Sequence, residues 1–272
     1  MLRSLNDLER YKVKATDGDI GHAVDFLFDD ERWAVRYLVV ETKGFLDGRE
    51  VLISPISIAD AQWTTKVIHL ALTKDKVKNS PGIEVDKPVS RQQEEIQNKY
   101  YGYPAYWGYT GGLWGMGPYP GLLRTENWKD TLPKESTRES GDVHLRSAKE
   151  VRGYHLTGSD GAIGHVADCI VDDEDWAVRY LVVDTGNWWV GKRVVIAPQW
   201  ASQIDWNQRT VEVGLSLEAV KNSPSWNGPG AANREYEQLL YAYYGRPSYW
   251  TIRDNPDVAV RIQGAAHSPR SP

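Results

Sequence analysis

The run Trp33-Ala34-Val35-Arg36-Tyr37-Leu38-Val39-Val40 recurs unchanged as Trp176-Ala177-Val178-Arg179-Tyr180-Leu181-Val182-Val183, 143 positions later. β-branched and aromatic residues dominate it, and neither Gly nor Pro interrupts it, which is the composition of a strand. On a strand Trp33, Val35, Tyr37 and Val39 share one face, and Ala34, Arg36, Leu38 and Val40 the other. Both faces are apolar except at Arg36, so a central strand covered on both sides is expected.

The same offset holds through loops as well as strands. Asp17-Gly18 returns as Asp160-Gly161, Ile20-Gly21-His22 as Ile163-Gly164-His165, and Lys78-Asn79-Ser80-Pro81 as Lys221-Asn222-Ser223-Pro224. Even the tails agree, with Tyr100-Tyr101-Gly102 and Tyr106-Trp107 repeated as Tyr243-Tyr244-Gly245 and Tyr249-Trp250. A register kept this far means two copies of one fold rather than a short-period solenoid. The division expected is a first domain over 1–107, a linker over 108–143, a second domain over 144–250 and a disordered polar tail over 251–272.

Within each copy the order is a strand near Tyr11–Thr16, a turn at Asp17-Gly18, a return strand over Ile20–Phe28, and the spine strand. A strand over Arg49–Ser54 ends at Pro55, and another near Lys66–Leu70 leads to a short helix capped by Thr73. Ser90 and Gln93 form a capping-box pattern for a second helix, and Asn233 is placed to cap its counterpart. Short strands with no helix-length crossovers favour a small barrel over βαβ units. The fold class expected is therefore mainly β, as two tandem small antiparallel barrels, each followed by short helices and an aromatic tail.

Several classes of function lose ground. The net charge of −5 argues against a protein that coats phosphate backbones, so nucleic acid is not an expected partner. One Cys allows no intramolecular disulfide and no cysteine-rich metal site. No apolar run approaches the roughly 20 residues that cross a bilayer, and the N-terminal residues lack the apolar stretch of a secretion signal; a cytoplasmic protein is the expectation.

The motifs Asp17-Gly18-x-Ile20-Gly21, Asp29-Asp30, the spine, and Gly48-Arg49-x-Val51-Leu52-Ile53-Ser54-Pro55 resemble the PRC-barrel family over Leu2–Pro81, and again over Leu145–Pro224. That family takes its name from the cytoplasmic domain of the photosynthetic reaction-centre H subunit and includes the C-terminal domain of a ribosome maturation factor. With the Tyr-Tyr-Gly…Tyr-Trp tail, the chain looks similar to stand-alone bacterial members. The resemblance implies an antiparallel barrel serving as an assembly and contact module, with no catalytic set and no cofactor. It departs from the reaction-centre subunit in that no membrane anchor is expected, because no apolar run of the sequence is long enough to form one.

Candidate chemistry is sparse. His22 with Asp25, and His165 with Asp168, would diverge on a regular strand, because residues three apart face opposite ways. The acidic turns at Asp29-Asp30-Glu31 and Asp172-Asp173-Glu174-Asp175 lack the ligand spacing of an EF-hand loop and read as solvated turns. Arg36 and Arg179, if buried, need acidic or aromatic partners, with Asp25 and Asp168 the candidates. Cys169 stands where the first copy has Phe26, the position of a small buried hydrophobe.

The 12 Trp and 15 Tyr against 3 Phe point to half-buried rings and contact surfaces. Trp188 and Trp189 replace Phe45 and Leu46 of the first copy, and cannot both enter one small core. They are candidates for an interaction surface with Tyr106, Trp107, Tyr249 and Trp250. An intramolecular pseudo-dimer of the two barrels is expected, acting as a non-catalytic scaffold with a protein partner. The alternative is a small-ligand sensor or enzyme whose pocket, between the barrels, has His22 and His165 as walls.

Overall fold

The repeated sequence builds two sheets that exchange their edges. A computed structural model describes residues 1–42, 48–82, 89–103, 106, 145–186 and 192–254. In the first copy the order is β1 (Leu2–Ser4), α1 (Leu5–Leu8), β2 (Lys12–Ala15), β3 (Gly18–Asp29), β4 (Ala34–Glu41), β5 (Glu50–Ile53), β6 (Ile58–Gln62), β7 (Val67–Leu70), α2 (Lys74–Lys78) and α3 (Arg91–Tyr101). The second copy repeats it as β8 (Leu145–Ser147), α4 (Ala148–Val151), β9 (His155–Gly158), β10 (Gly161–Asp172), β11 (Val178–Asp184), β12 (Arg193–Ile196), β13 (Ala201–Asp205), β14 (Thr210–Val213), α5 (Leu217–Asn222) and α6 (Arg234–Tyr243), with α7 (Tyr249–Asp254) following.

One sheet runs β5-β4-β3-β2-β7-β6, the other β12-β11-β10-β9-β14-β13. Each gains its seventh strand from the opposite copy: β1 pairs with β10, and β8 with β3. The ladders are antiparallel except β2 with β7 and β9 with β14. Mainly β architecture is thus present, as two seven-stranded sheets, with no closed barrel found among the described residues. Two strands of each copy were not foreseen, the three-residue β1 and β8 and the little-buried β6 and β13. The first pair becomes strand only by borrowing the other sheet's edge.

The spine strands meet across the chain. Trp33 and Trp176 take positive φ of 55° and 65°, so the regular strands begin after them. Ala34 then faces Ala177 across an isolated antiparallel bridge. The Val35 N–H donates to the Trp176 carbonyl at 2.9 Å, and the Val178 N–H to the Trp33 carbonyl at 2.6 Å. A pair flanked by such bonds is the closely spaced kind, with Cα atoms about 4.5 Å apart. Alanine suits that spacing, and both alanines are buried. The spine is buried along nearly its whole length, and one apolar cluster joins residues of both copies, including Trp176, Tyr154, Phe26 and Phe28. Cys169 lies inside it, 1% exposed, with burial pushing its thiol pKa up, as a small hydrophobe rather than a nucleophile.

The close approach of β3 to the end of β4, and of β10 to the end of β11, depends on missing Cβ atoms. A Cβ on Gly21 would lie 1.9 Å from the Glu41 carbonyl oxygen, and one on Gly164 2.1 Å from that of Asp184. Backbone cannot yield there as a side chain could. Gly164→Ala is expected to cost about 1–3 kcal/mol or more, the range for overpacking. Gly214→Ala, where a Cβ would meet nothing within 4 Å, should stay within about 0.5 kcal/mol of the parent. Urea denaturation of the two variants checks the contrast.

Candidate functional site

The chemistry of the chain gathers where each tail meets its spine strand. Ser90 accepts from the Gln93 N–H and the Gln93 side chain returns to the Ser90 N–H, the capping box foreseen for α3. This start places Arg91 and Glu94 one helical turn apart, facing the sheet, with Nη1 to Oε2 at 2.9 Å. The Tyr106 hydroxyl donates to the other Glu94 oxygen at 2.7 Å. The Arg36 guanidinium lies 3.7 Å from the centre of the Tyr106 ring, and its Nε donates to Asp29 at 2.6 Å. Cation, ring and carboxylates are all buried.

The second copy builds the same socket with different bonds. The Tyr180 hydroxyl donates to Glu237 at 2.7 Å, and Arg234 lies 3.3 Å from the same carboxylate. Arg179 sits 4.0 Å from the Tyr249 ring centre and is paired with Asp175, with Asp172 at 3.7 Å. The rest of this socket is aromatic: Trp200, Tyr241 and Trp250 stack edge to face at 5.3 and 5.2 Å. In the first copy the corresponding floor is polar, with Ser57 hydrogen-bonded to Tyr103 at 2.5 Å and the Gln97 Nε2 donating to the Leu52 carbonyl at 2.8 Å. That last bond covers the edge of β5.

Burial dominates the electrostatics. Glu94, 2% exposed, has its carboxyl pKa pushed up to about 7 by loss of water, against the pull of Arg91. Glu237 moves the same way, also chiefly through burial. The phenols of Tyr37, Tyr106 and Tyr180 are raised well above the usual range by the same cause. These groups hold charge and protons in a dry seam between helix and sheet, an arrangement that clamps a segment in place.

The residues singled out in the sequence fall in different places. Tyr106 is turned inward, a plug in its own socket, and not offered to a partner. Tyr249 and Trp250 are half-buried against Tyr241. Trp107, Trp188 and Trp189 lie outside the described residues. His22 and His165 are exposed on β3 and β10, opposite Lys12 and Glu41 in the first sheet and His155 and Asp184 in the second. A cleft of about 560 Å³ lined by Ile163, Thr185, Leu217 and Lys221 lies within the second copy, and neither histidine lines it. Among the described residues no group of three His, Cys, Asp or Glu side chains could hold a metal.

Two expectations require correction. Arg36 is paired with Asp29, not Asp25, and Arg179 with Asp175 and Asp172, not Asp168. The bulges lie on the spine strands: Arg36 is the extra residue opposite the Leu27–Phe28 step and Arg179 the one opposite Ile170–Val171, which takes both arginines out of the regular alternation. The acidic turns are not simply solvated either, since Asp29 is buried on Arg36 and Asp30 receives Arg146 at 2.8 Å. A bulge does follow Ala23, next to the His22–Asp25 pair. The Asp25 carboxylate, however, is taken by the second copy: the Ser147 hydroxyl donates to it at 2.5 Å and the Lys149 N–H at 3.1 Å. Asp168 receives Ser4 and the Asn6 N–H in the same way.

No family model matches the chain, and no curated protein matches it. The helix Ser-to-Gln cap was legible in the sequence, whereas Glu94 and Glu237 were missed. Their signal was their repetition at the same offset, on the inward face of a capped helix.

Glu94 gives the site a pH signature. Its native pKa, near 7, stands above the ordinary 4.5, so the native state keeps a proton that the unfolded chain has released. Its contribution is complete below about pH 4.5 and is lost as pH rises through about 7, the window set by that shift. Stability measured by denaturant midpoint should therefore fall from pH 5 to pH 8. Glu94→Gln should flatten part of that slope, leaving the share due to Glu237, Glu9 and Asp168, whose pKa values burial also raises. An unchanged slope in the variant would refute the assignment.

Proposed function

We propose that the chain is a non-catalytic binding and scaffolding protein of the PRC-barrel type, working in the bacterial cytoplasm. In this reading two barrel-like modules dock as an intramolecular pseudo-dimer and hold a protein partner. The observation that carries it is the reciprocal exchange of β1 and β8, with Ala34 meeting Ala177, its own equivalent. An isologous contact is one in which each surface patch meets its own copy, and residue i facing i+143 has that character.

The site supports the same reading. Its buried carboxylates and arginines are engaged with one another and with tail rings, which fixes shape and offers no open reacting position. The two helices so clamped carry an exposed aliphatic residue at the same place, Ile96 on α3 and Leu239 on α6. The rival reading, a sensor or enzyme using a cleft between the modules, has less behind it. The junction is filled by Ala34, Ala177, Trp33 and Trp176, all buried, and no helix among the described residues is long and apolar enough to cross a membrane.

Docking is tested by Ala34→Cys/Ala177→Cys. Cross-strand Cα atoms about 4.5 Å apart fall within disulfide range, so an intrachain bond should close under mild oxidation without linking chains. The scaffolding role is tested by retrieval of proteins on the full chain from its native cell. A specific protein recovered in near-equal amount is expected; nothing above background, together with turnover or binding of a metabolite, would overturn it.

A further inference from the structure

Most contacts between the copies repeat with their roles exchanged: Arg3 to Asp173 mirrors Arg146 to Asp30, and Ser4 to Asp168 mirrors Ser147 to Asp25. A pair of this kind would form equally well between two first copies or two second copies. Among the described residues, one ion pair between the copies joins two equivalent positions. Arg152 Nη2 donates to Glu9 Oε1 at 2.6 Å, and Glu9 and Arg152 are themselves equivalent positions, 143 apart. The same guanidinium donates to Asn6 at 2.5 Å, and the equivalent of Asn6 is Lys149.

We infer that Glu9 and Arg152 are specificity determinants that make each half of the chain select the other half and reject its own kind. Two first copies brought together would set Glu9 against Glu9. Two second copies would set Arg152 against Arg152, with Lys149 beside it. Only the unlike pairing turns this position into an attraction, and the like pairings are selected against by repulsion. The selected partner is thus the acidic or basic counterpart of the same exchange surface. The inference rests on the docking of the two halves proposed above.

The full chain carrying Ala34→Cys reports like pairing directly. Unlike pairing leaves the new thiol facing Ala177, whereas contact between two first copies places two such thiols together and yields a covalent dimer. The buried Cys169 is the only other thiol. Refolded from urea at rising concentration under mild oxidation, the single variant should give only traces of dimer. Adding Arg152→Glu makes every pairing Glu against Glu, and the dimer fraction should rise roughly fivefold to tenfold, the scale of exchanging one half-exposed attraction for a repulsion. Adding Glu9→Arg as well restores the unlike charges and should return dimer to the trace level. If Arg152→Glu does not refold, Arg152→Gln should give a smaller rise. No rise in a folded Arg152 variant, while Ala34→Cys/Ala177→Cys still closes within the chain, overturns the selection and leaves docking intact; failure of that intrachain bond overturns docking itself.

Discussion

The meeting of the two spine strands, Ala34 against Ala177, constrains what surrounds it. Small side chains suit that meeting of the two strands, and the preceding tryptophans swing out of the strand path. Their positive φ values do that, at a cost of order 1–3 kcal/mol each for a bulky residue. The burial of both indoles offsets that cost: Trp176 stacks on Phe26 of the opposite copy, and Trp33 lies against Phe28 and Trp206. Strained backbone and inserted rings are therefore one device. It brings the sheets near enough for β1 and β8 to change sides.

The exchanged strands are secured at their ends by helix caps that also cross between copies. Ser147 accepts from the Glu150 N–H, as an N-cap does, and donates its own proton to Asp25 of the first copy. Asp25 takes the Lys149 N–H as well, so a carboxylate of one sheet serves the start of the other copy's helix. Ser4 and Asp168 do the same in return. Partial burial makes such a carboxylate expensive, which is why Asp168 has a raised pKa despite these donors. The bonds then matter most for direction: they set where β1 and β8 end and where α1 and α4 begin.

Local signals were the readable ones. The Asp-Gly turns and the caps at Thr73, Ser90 and Asn233 each depend on residues within about four positions of one another, and each formed where the sequence placed it. The spine, by contrast, is strand only after its tryptophans, and Val35 does not share the face of Tyr37 and Val39. What escaped depended on distance along the chain. Nothing in Leu2–Ser4 announces a strand, because its hydrogen-bonding partner lies some 170 residues away. The partner of Arg36 differs from the expected one because Arg36 is itself the extra residue of a bulge, which breaks the alternation from which facing residues are counted. The aromatic tails read as outward-looking for a similar reason: the buried cation that draws Tyr106 inward belongs to a strand 70 positions earlier.

The two sockets show how a duplicated fold keeps a shape while changing its chemistry. The first copy has Ser57 and Asn98 where the second has Trp200 and Tyr241. Ring volume lost at the base of the first socket is partly returned from the tail, since the Tyr103 hydroxyl meets Ser57 and its ring stacks on Tyr101 at 5.7 Å. The Glu–Arg–Tyr set is kept in both, although a buried ion pair seldom adds net stability over an apolar replacement. What such a set supplies better than an apolar patch is register, because a ring held between a guanidinium and a carboxylate has one seat, while a greasy surface has many. Retention of the charged set while its apolar surroundings changed fits a fold in which the position of the tail matters more than the strength with which it is held.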